Sequence, residues 1–585
     1  MRLTSRQNAL ELLLKQCYST PRCCTQRRAR SYATAASGRG DGKDIAVLGG
    51  GITGLSTAYY LSKALPRANI TLYEASERLG GWMDTKRVEV GNGTVLLEQG
   101  PRTLRPAGIA GLVTLDLICK LGIEDEVLVT KKDSVSAQNR FIYYPDHLVR
   151  MPGPGMSMGE LVKTALLEPV MRGSTPGVFG EFMRDQVPVE PGKGVQTDES
   201  IGSFISRRLN KSMADNLVSA VMHGIYAGDI YQLSAKSILP TQWHLEKRYG
   251  SITMGMMQAF RKQMIFMPER DAHLHVAFSR TKLSPLLRDK MKDASVYTFK
   301  GGLEQLSVSL AKAIANAPNV TTKTNHSIKS LTYDLQRNGG IKLTTTRNQP
   351  PTSHTHAISA LPSSTLASIT STPTTNILPS LSATPSVTVM VVNLYYTSPY
   401  TLPVHGFGYL LPRSIPLEQN HERALGVVFD SDAVSGQDTA TGTKLTVMMG
   451  GHWWDNWTSY PSPDEAIEMA QAVVARHLHI TEPAAVTSAA LHRNCIPQYT
   501  VGHAERMSKA HRELRREFKG RLRVVGNSYT GVGVNDCVRA SYEVVDRLAN
   551  EVGTTEGEDL TGLDMFERDA LWVAGRIPKA VGEDE

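Results

Sequence analysis

Cysteine is scarce in this chain, and its placement excludes two kinds of stabilisation. Six cysteines stand among 585 residues: Cys17, Cys23, Cys24, Cys119, Cys495 and Cys537. Three fall in an amino-terminal segment of unusual composition. The others are far apart without ligand-like spacing, so neither a disulfide framework nor a zinc site is expected, and no metal is. No run of about 18 uninterrupted apolar residues occurs, which argues against a membrane-spanning helix. H-E-x-x-H, Walker and G-x-S-x-G motifs are missing, and no carboxylate pair or Ser/His set presents itself for acid–base work. Acid is nearly missing from residues 1–40, where Glu11 stands against seven arginines and the apolar patch Leu10 to Leu14. That composition reads as a cleavable mitochondrial transit peptide ending near Arg30, rather than a disordered basic tail or a secretory signal. Much of the formal net charge of +8 lies there. Nucleic-acid binding is therefore not inferred from charge, while residual basicity suits an anionic lipid surface.

What is present is a dinucleotide fingerprint. The length implies two or three substructures, and a hydrophobic fraction of 41% suffices for a sizeable core. Gly49, Gly51 and Gly54 form G-x-G-x-x-G between an apolar run, Ile45 to Leu48, and a helix-like run, Leu55 to Leu65. A second apolar run, Ile70 to Tyr73, ends on Glu74, twenty residues after Gly54. A βαβ unit with this spacing lays a pyrophosphate on a helix N-terminus and a ribose hydroxyl on the acid. The continuation Glu74-x-x-x-Arg78-x-Gly80-Gly81 narrows the dinucleotide to FAD.

Further along, Lys86 to Leu97 predicts a hairpin turning at Gly91-Asn92-Gly93. In Gly100-Pro101-Arg102 the backbone is suited to approach a flat ligand, with Arg102 facing its phosphate or ring oxygens. Leu112 to Leu121 reads as helix and Gln138 to Tyr144 as a strand bearing one charge. Residues 151–290 read as mostly helical, with a Gly/Pro-rich mobile loop at 172–198. The methionine-rich stretch Ile252 to Phe266 suits core filling, or a surface facing membrane or porphyrin. Leu303, Leu306, Leu310 and Ile314 share a helical face, and Asn319 to Tyr333 looks like strand. Residues 343–385, rich in Thr, Ser and Pro, suggest exposed strands and loops, in part disordered. Within them His356 to Leu361 is a short apolar strand. Val387 to Tyr396 and Leu445 to Gly451 continue a β-rich section, and Ala466 to Leu478 is an amphipathic helix. Arg521 to Val525 then leads into a glycine-rich turn, Gly526 to Val534, and a helix capped by Asn535. A second glycine-rich strand-to-helix junction far from the first is what an enclosed flavin needs. The acidic tail, 551–585, reads as solvated and dispensable.

The peptides VLGGGITGLSTAYYLS, ERLGGW, EQGPRTLRPAG, QNRFIYYP, FKGGLEQL, HGFGYLLP, LHRNCIPQYTVGH and GNSYTGVGVNDCV run in order from 47 to 538. Through them the chain resembles the oxygen-dependent protoporphyrinogen oxidases, in the monoamine-oxidase-like flavoprotein superfamily. The 172–198 loop and the Thr/Ser/Pro stretch depart from that pattern. The resemblance implies a fold combining α/β and α+β parts. A Rossmann-type FAD domain is assembled from 41–110, 291–362 and 485–550. A β-sheet substrate domain comes from 111–150 and 363–484, and a helical membrane-docking and substrate region from 151–290. It implies non-covalent FAD held by Gly49, Gly50, Gly51, Ile52, Thr53, Gly54, Glu74, Ala75, Arg78, Gly81, Trp82, Gly100, Pro101, Arg102, Thr103, Ile328, Gly526, Val532, Gly533 and Val534. Arg140 would face a substrate propionate, Phe407 would lie over the macrocycle, and Gly228 would line the cavity. The implied reaction takes six hydrogens from protoporphyrinogen IX in three flavin cycles, with O2 becoming hydrogen peroxide. The implied setting is a homodimer on the intermembrane-space side of the mitochondrial inner membrane, with ferrochelatase a candidate recipient of product.

In that reading the flavin leads the chemistry and no side chain is assigned as catalytic. His492 and His503 are tempting bases, but satisfied structural histidines fit their setting better. Cys495 and Cys537 lack the Ser-Gly-Gly-Cys context of covalent flavin attachment. Two other readings stay open: an amine oxidase of the same fold, and a non-catalytic carrier like the Rab GDP-dissociation inhibitors.

Overall fold

The computed structural model describes residues 42–171, 180, 197–550, 560–567 and 572–576, apart from 92, 154, 263, 279–280, 336–338, 348 and 373. The basic segment 1–40, the turn residue Asn92 and nearly all of the 172–198 loop lie outside the described residues. A five-stranded parallel sheet carries the glycine-rich junctions. Its order is Val320–Lys323, Asn69–Tyr73, Asp44–Leu48, His356–Ser359 and Leu522–Val524. Register runs Ile45 to Ile70 on one side and Ile45 to His356 on the other. Ile45, Ala46, Val47 and Leu48 are all fully buried. A continuous apolar run is what a parallel strand covered on both faces requires. One cover is the pair of helices Ile52–Ala64 and Val534–Asn550, packed through Leu55, Leu61, Val538, Val545 and Leu548. The other holds Leu331, Leu343, Met507, Leu514 and Leu522.

A mixed seven-stranded sheet forms the second lobe. Its order is Val486–Pro497, Ser386–Tyr396, Thr443–Gly450, Ala424–Phe429, Gly408–Leu410, Phe141–Tyr143 and Leu148–Arg150. Side chains alternate between its faces. Tyr143, Met390, Val392, Leu394, Tyr409 and Val447 point to the helix Pro463–Leu478, which buries Ala466, Ala470, Val473 and Val474. That helix opens on a capping box between Ser462 and Glu465 with Pro463 in its first turn, a locally encoded start.

The opposite face follows from register. Asn393 lies beside Ser488 and Thr446, Val391 beside Ala490 and Met448, and Val389 beside His492 and Gly450. Met448 continues through Gly426 and Leu410 to Ile142. This face fronts the first lobe at one end: Asn393 Nδ2 donates to the Glu98 carbonyl (3.1 Å) and Ser488 Oγ to Gln99 Oε1 (3.3 Å). At the other end it is covered by the helix Ser219–Tyr226, where a Cβ on Gly224 would lie 2.9 Å from Leu410. Between the two covers lies an apolar floor of Val387, Val389, Val391, Leu425, Met448, Trp453, Cys495 and Ile496.

Several expectations are corrected. The strand around Arg140 is only Phe141–Tyr143, because Val135–Gln138 is a short helix capped by Ser134. Asn319 to Tyr333 is two strands in different sheets, Val320–Lys323 and Ile328–Asp334. The Thr/Ser/Pro stretch contains helices Ser363–Thr370 and Pro379–Ser382, held because Leu366, Leu378 and Leu381 are fully buried. Tertiary burial overrides weak helix propensity there. The methionine-rich segment divides: the helix Ile252–Arg261 buries Ile252 yet exposes Met256 and Phe260, and Phe266 is buried in the strand Met264–Pro268. The tail is not wholly solvated. Thr561 and Leu563 are fully buried, the Thr561 carbonyl accepts from Val524 N–H, and Trp572–Arg576 pairs with Met264–Pro268. Among the described residues no helix is long and apolar enough to cross a membrane.

Candidate active site

The first junction is shaped by missing side chains. Gly49 has φ +99°, and its N–H donates to the Tyr73 carbonyl (2.8 Å). A Cβ on Gly54 would fall 1.7 Å from the Gly49 carbonyl, so the helix can start this close to the strand only with glycine there. The helix Ile52–Ala64 has no side-chain cap and no acid in its first turn. Its free N–H groups and positive end suit a phosphate. A Cβ at Gly51 would meet only Gly81 Cα, at 3.8 Å, so the space over this helix end is open.

Glu74 closes the far side of the loop. Its Oε2 accepts from Gly50 N–H (2.6 Å), and its Oε1 from Ser76 N–H and Oγ (2.8 Å each). A carboxylate has about four acceptor positions, so capacity for a ribose hydroxyl is left. The turn before Ile328 runs alongside, with His326 N–H donating to the Glu74 carbonyl and Asn325 N–H to that of Ser76. Ala75, next to Glu74, is exposed. Arg78 acts as a brace: it donates to the Gly81 and Met83 carbonyls and pairs with Glu304 (3.0 Å). Gly80 N–H donates to the Gly50 carbonyl, drawing the Arg78-x-Gly80-Gly81 turn over the first glycines.

The second junction meets the first. A Cβ on Gly526 would lie 3.6 Å from Thr53, and Ser541 Oγ donates to the Thr53 carbonyl (2.9 Å). Both helix N-termini thus converge on one region, with Val532, Gly533 and Val534 at the second. The cap there is Asp536, whose carboxylate accepts from Gly533 N–H (3.2 Å), and not Asn535. Asn535 bonds the Arg105 carbonyl instead (2.9 Å), tying this junction to the segment Gly100–Arg105.

That segment is held from beneath. Trp82 is 42% exposed and lies edge-on to His492 at 5.0 Å, and a Cβ on Gly100 would strike the Trp82 carbonyl. Pro101 and Thr103 are half-buried. Arg102 pairs with Asp430 (3.1 Å), itself hydrogen-bonded to Thr446 (2.6 Å), so its guanidinium serves the contact between lobes. Glu98 is buried, accepting from Leu303 N–H (2.7 Å) and Thr85 Oγ1 (2.8 Å). Burial nonetheless pushes its carboxyl up to about 7, against the opposing pull of those hydrogen bonds, Arg102 and Lys444.

Arg140 precedes Ile142 by two residues, so it shares the face that fronts the first lobe. Its guanidinium lies over the half-buried Phe407 ring at 5.8 Å. Burial and then the charge of Arg105 lower its pKa. Among the described residues neither arginine meets a carboxylate. Two cations without an acid have the chemistry to take an anionic group. Arg105 was missed in the sequence reading, although the Arg102-x-x-Arg105 spacing held the signal. Gly228 abuts the chain: a Cβ there would lie 2.1 Å from Gln498 Oε1. Its neighbour Ala227 belongs to the apolar floor.

The tempting histidines are engaged. His492 Nε2 donates to the Gln99 carbonyl, and His503 stacks on Tyr499 at 4.2 Å with Nε2 on the Tyr529 carbonyl. Burial lowers His503 to about 4. Cys119, Cys495 and Cys537 carry free thiols, and burial raises Cys495 to about 11 and Cys537 to about 12.

Comparison with known proteins places this geometry. The family model for flavin-containing amine oxidoreductases matches residues 52–549. The protoporphyrinogen oxidase of Schizosaccharomyces pombe is 37% identical over 86% of this chain and 98% of its own length. That of Homo sapiens is 33% identical over 86% of this chain and 97% of its own. Among solved structures, a protein from Exiguobacterium sp. 255-15 shares the fold with TM-score 0.65 at 21% identity, over 88% of this chain and all of that one.

Proposed function

This chain belongs to the flavin-containing amine oxidoreductase family, and from that premise we propose that it oxidises protoporphyrinogen IX to protoporphyrin IX. It is a flavin-dependent oxidoreductase of porphyrin biosynthesis, grouped with the protoporphyrinogen oxidases by identity over nearly their whole length. The observation that carries the reading is the convergence of two glycine-rich junctions on one space, with the Arg105 backbone tied to the second junction by Asn535 and Arg105 close enough to Arg140 for their charges to interact. The open region over the Ile52–Ala64 helix end, which a Gly51 side chain would enter, fits a pyrophosphate, and Glu74 fits a ribose. The bound flavin supplies the two-electron acceptor, and the chain supplies orientation and dryness. Arg140 and Arg105 hold substrate propionates, and Phe407 with the apolar floor receives the macrocycle.

The finer proposal is FAD held without a covalent bond, turned over by O2 in three cycles with peroxide released. Suppressed ionisation at Cys495 and Cys537 supports non-covalent binding, because the thiolate is the nucleophile. The proposal extends to a helical membrane-docking region and a place on the mitochondrial inner membrane, intermembrane-space side. The acid-poor first forty residues and an exposed stripe of Met158, Val162 and Leu166 support it. A homodimer and hand-over to ferrochelatase rest on the resemblance alone.

The test is purified protein with its flavin absorption band, given protoporphyrinogen or benzylamine. Fluorescent porphyrin formed under air but not argon, with no turnover of benzylamine, is expected. Colourless, well-folded protein that stays inert after FAD is added back would end the reading.

A further inference from the structure

Two histidines that neither the dinucleotide cradle nor the arginine pair uses lie ring to ring at the edge of the apolar floor. His223 stands on the helix Ser219–Tyr226, and His452 on the turn Gly451–Trp454 directly after the strand Thr443–Gly450. His452 follows by two residues Gly450, the partner of Val389 on the floor, and its N–H donates to the carbonyl of Ala227 (2.8 Å). Trp453, beside it, packs into the floor.

Hydrogen-bond accounting assigns the protons. The two Nε2 atoms are 2.8 Å apart, so one carries hydrogen and the other is bare. His223 Nδ1 lies 2.7 Å from the Leu411 carbonyl, which can only accept. In a neutral His223 ring the proton therefore sits on Nδ1, Nε2 accepts, and His452 Nε2 must donate. His452 Nδ1 is then a bare lone pair. No group among the described residues bonds it, and unlike His503 Nδ1 it is not sealed from accessible space.

The surroundings keep both rings neutral. Burial and then His452 lower His223 to about 3, and burial and then Arg413 lower His452 to about 4. The other charged groups facing the pair are Asp229, 3.5 Å from Arg413 Nε, and Asp455, raised by burial and by Asp229. Arg423 lies over the neighbouring Trp453 ring. A base is ready only when its lone pair carries no proton, and at physiological pH this one carries none.

We propose that His452 accepts at Nδ1 the proton released when the tetrapyrrole is oxidised, and that His223 is the positioning residue that fixes its tautomer. This rests on the oxidase reading above. In each two-electron step a substrate C–H would break, a bound flavin supplying the acceptor for its hydride. A pyrrole N–H or a second C–H also breaks, and its electron pair becomes the new double bond of the ring. The proton forms the N–H bond at His452 Nδ1 and leaves to water between cycles.

His452→Gln separates this role from a structural one. The glutamine amide can still donate to His223 Nε2 but offers no base at the Nδ1 position. Flavin content and melting temperature are measured first, then the pH dependence of kcat and kcat/KM, beside 15N spectra of histidine-labelled, flavin-loaded protein. His452→Gln is expected to keep its flavin and its melting temperature. It should lose about 100-fold in kcat, along with the acid limb that His452 protonation imposes. The wild-type signal missing from the variant should show an unprotonated Nδ1. Turnover within about twofold of wild type with the same profile, against that expected loss, or a protonated Nδ1, overturns the proposal. If the variant loses its flavin, the wild-type 15N signal decides alone. A wild type that makes no porphyrin overturns the oxidase reading and this proposal with it, even where the tautomer signal is as expected.

Discussion

At the residue scale, two glycines three apart predict opposite failures. Gly51 has φ −72°, which any residue adopts, and its Cβ would meet only Gly81 at 3.8 Å. Gly51→Val should therefore fold and melt like the wild-type apoprotein yet bind no flavin, because its side chain fills the space of the pyrophosphate. Absorption spectra and thermal melts of the pair check this, and a yellow, active variant refutes it. Gly54 has no such freedom, since its Cβ would lie 1.7 Å from a backbone oxygen. Glu98 gives a pH prediction. Its carboxyl rises from the ordinary 4.5 to about 7 through burial, so the folded protein holds a proton that the unfolded chain has lost. That contribution is fully present below pH 4.5 and is lost as pH rises to about 7. At roughly 1.4 kcal/mol per unit it is worth about 3 kcal/mol. Glu98→Gln keeps an acceptor for Leu303 and does not titrate. Denaturant midpoints should fall between pH 4.5 and 7 more steeply for wild type than for the variant; parallel curves would contradict the assignment. The glycines were legible because their constraint is local. The raised Glu98, the Arg105 partnership and the histidine pair were not, because each depends on groups brought together only by the assembled lobes.

At the element scale, the segment after the last long helix was misread from composition. Its acids suggested solvation, but Leu563 and Thr561 are fully buried, and Arg547 pairs with Asp564. His511 Nδ1 meets Thr561 Oγ1 at 2.7 Å, so the segment also satisfies a buried histidine. Ending the chain after Asn550 should cost about 2–5 kcal/mol, the scale of emptying a buried leucine site. Urea denaturation of the truncated and full chains checks it, and equal midpoints would restore the solvated reading. The Thr/Ser/Pro stretch failed for a related reason. Its threonines and serines are weak helix formers, but Leu366 and Ile369 sit three apart and are buried by neighbours far away in sequence. The long amphipathic helix Pro463–Leu478 was legible because cap and stripe agree. Elements whose local and global signals coincide are readable; those held only by distant packing are not.

At the scale of the whole molecule, the first lobe, with its glycine-rich junctions at the strand ends, meets one face of the second sheet, and the helical part lies against one end of that face. This arrangement separates the chemistry from the outer surface of the helical part. There Ser157 and Glu160 form a capping box that starts the helix Met158–Leu167 locally. Met158, Val162 and Leu166 recur every fourth residue and are 74%, 52% and 70% exposed, so a stripe of apolar surface is left largely uncovered among the described residues. Such a stripe suits the boundary of a lipid bilayer, entered by side chains and not crossed. Burying one Val or Leu side chain is worth about 1.5–3 kcal/mol, so two charges placed there should weaken partition onto vesicles at least tenfold. Val162→Glu with Leu166→Glu is therefore expected to shift the protein from the pellet to the supernatant when it is sedimented with anionic vesicles. Flavin content and porphyrin formation in detergent should stay within about twofold of wild type, because glutamate is a good helix former and the stripe touches neither sheet. Unchanged sedimentation would rule this stripe out as the lipid contact. A loss of flavin together with sedimentation would show that this helix supports the fold and not the docking.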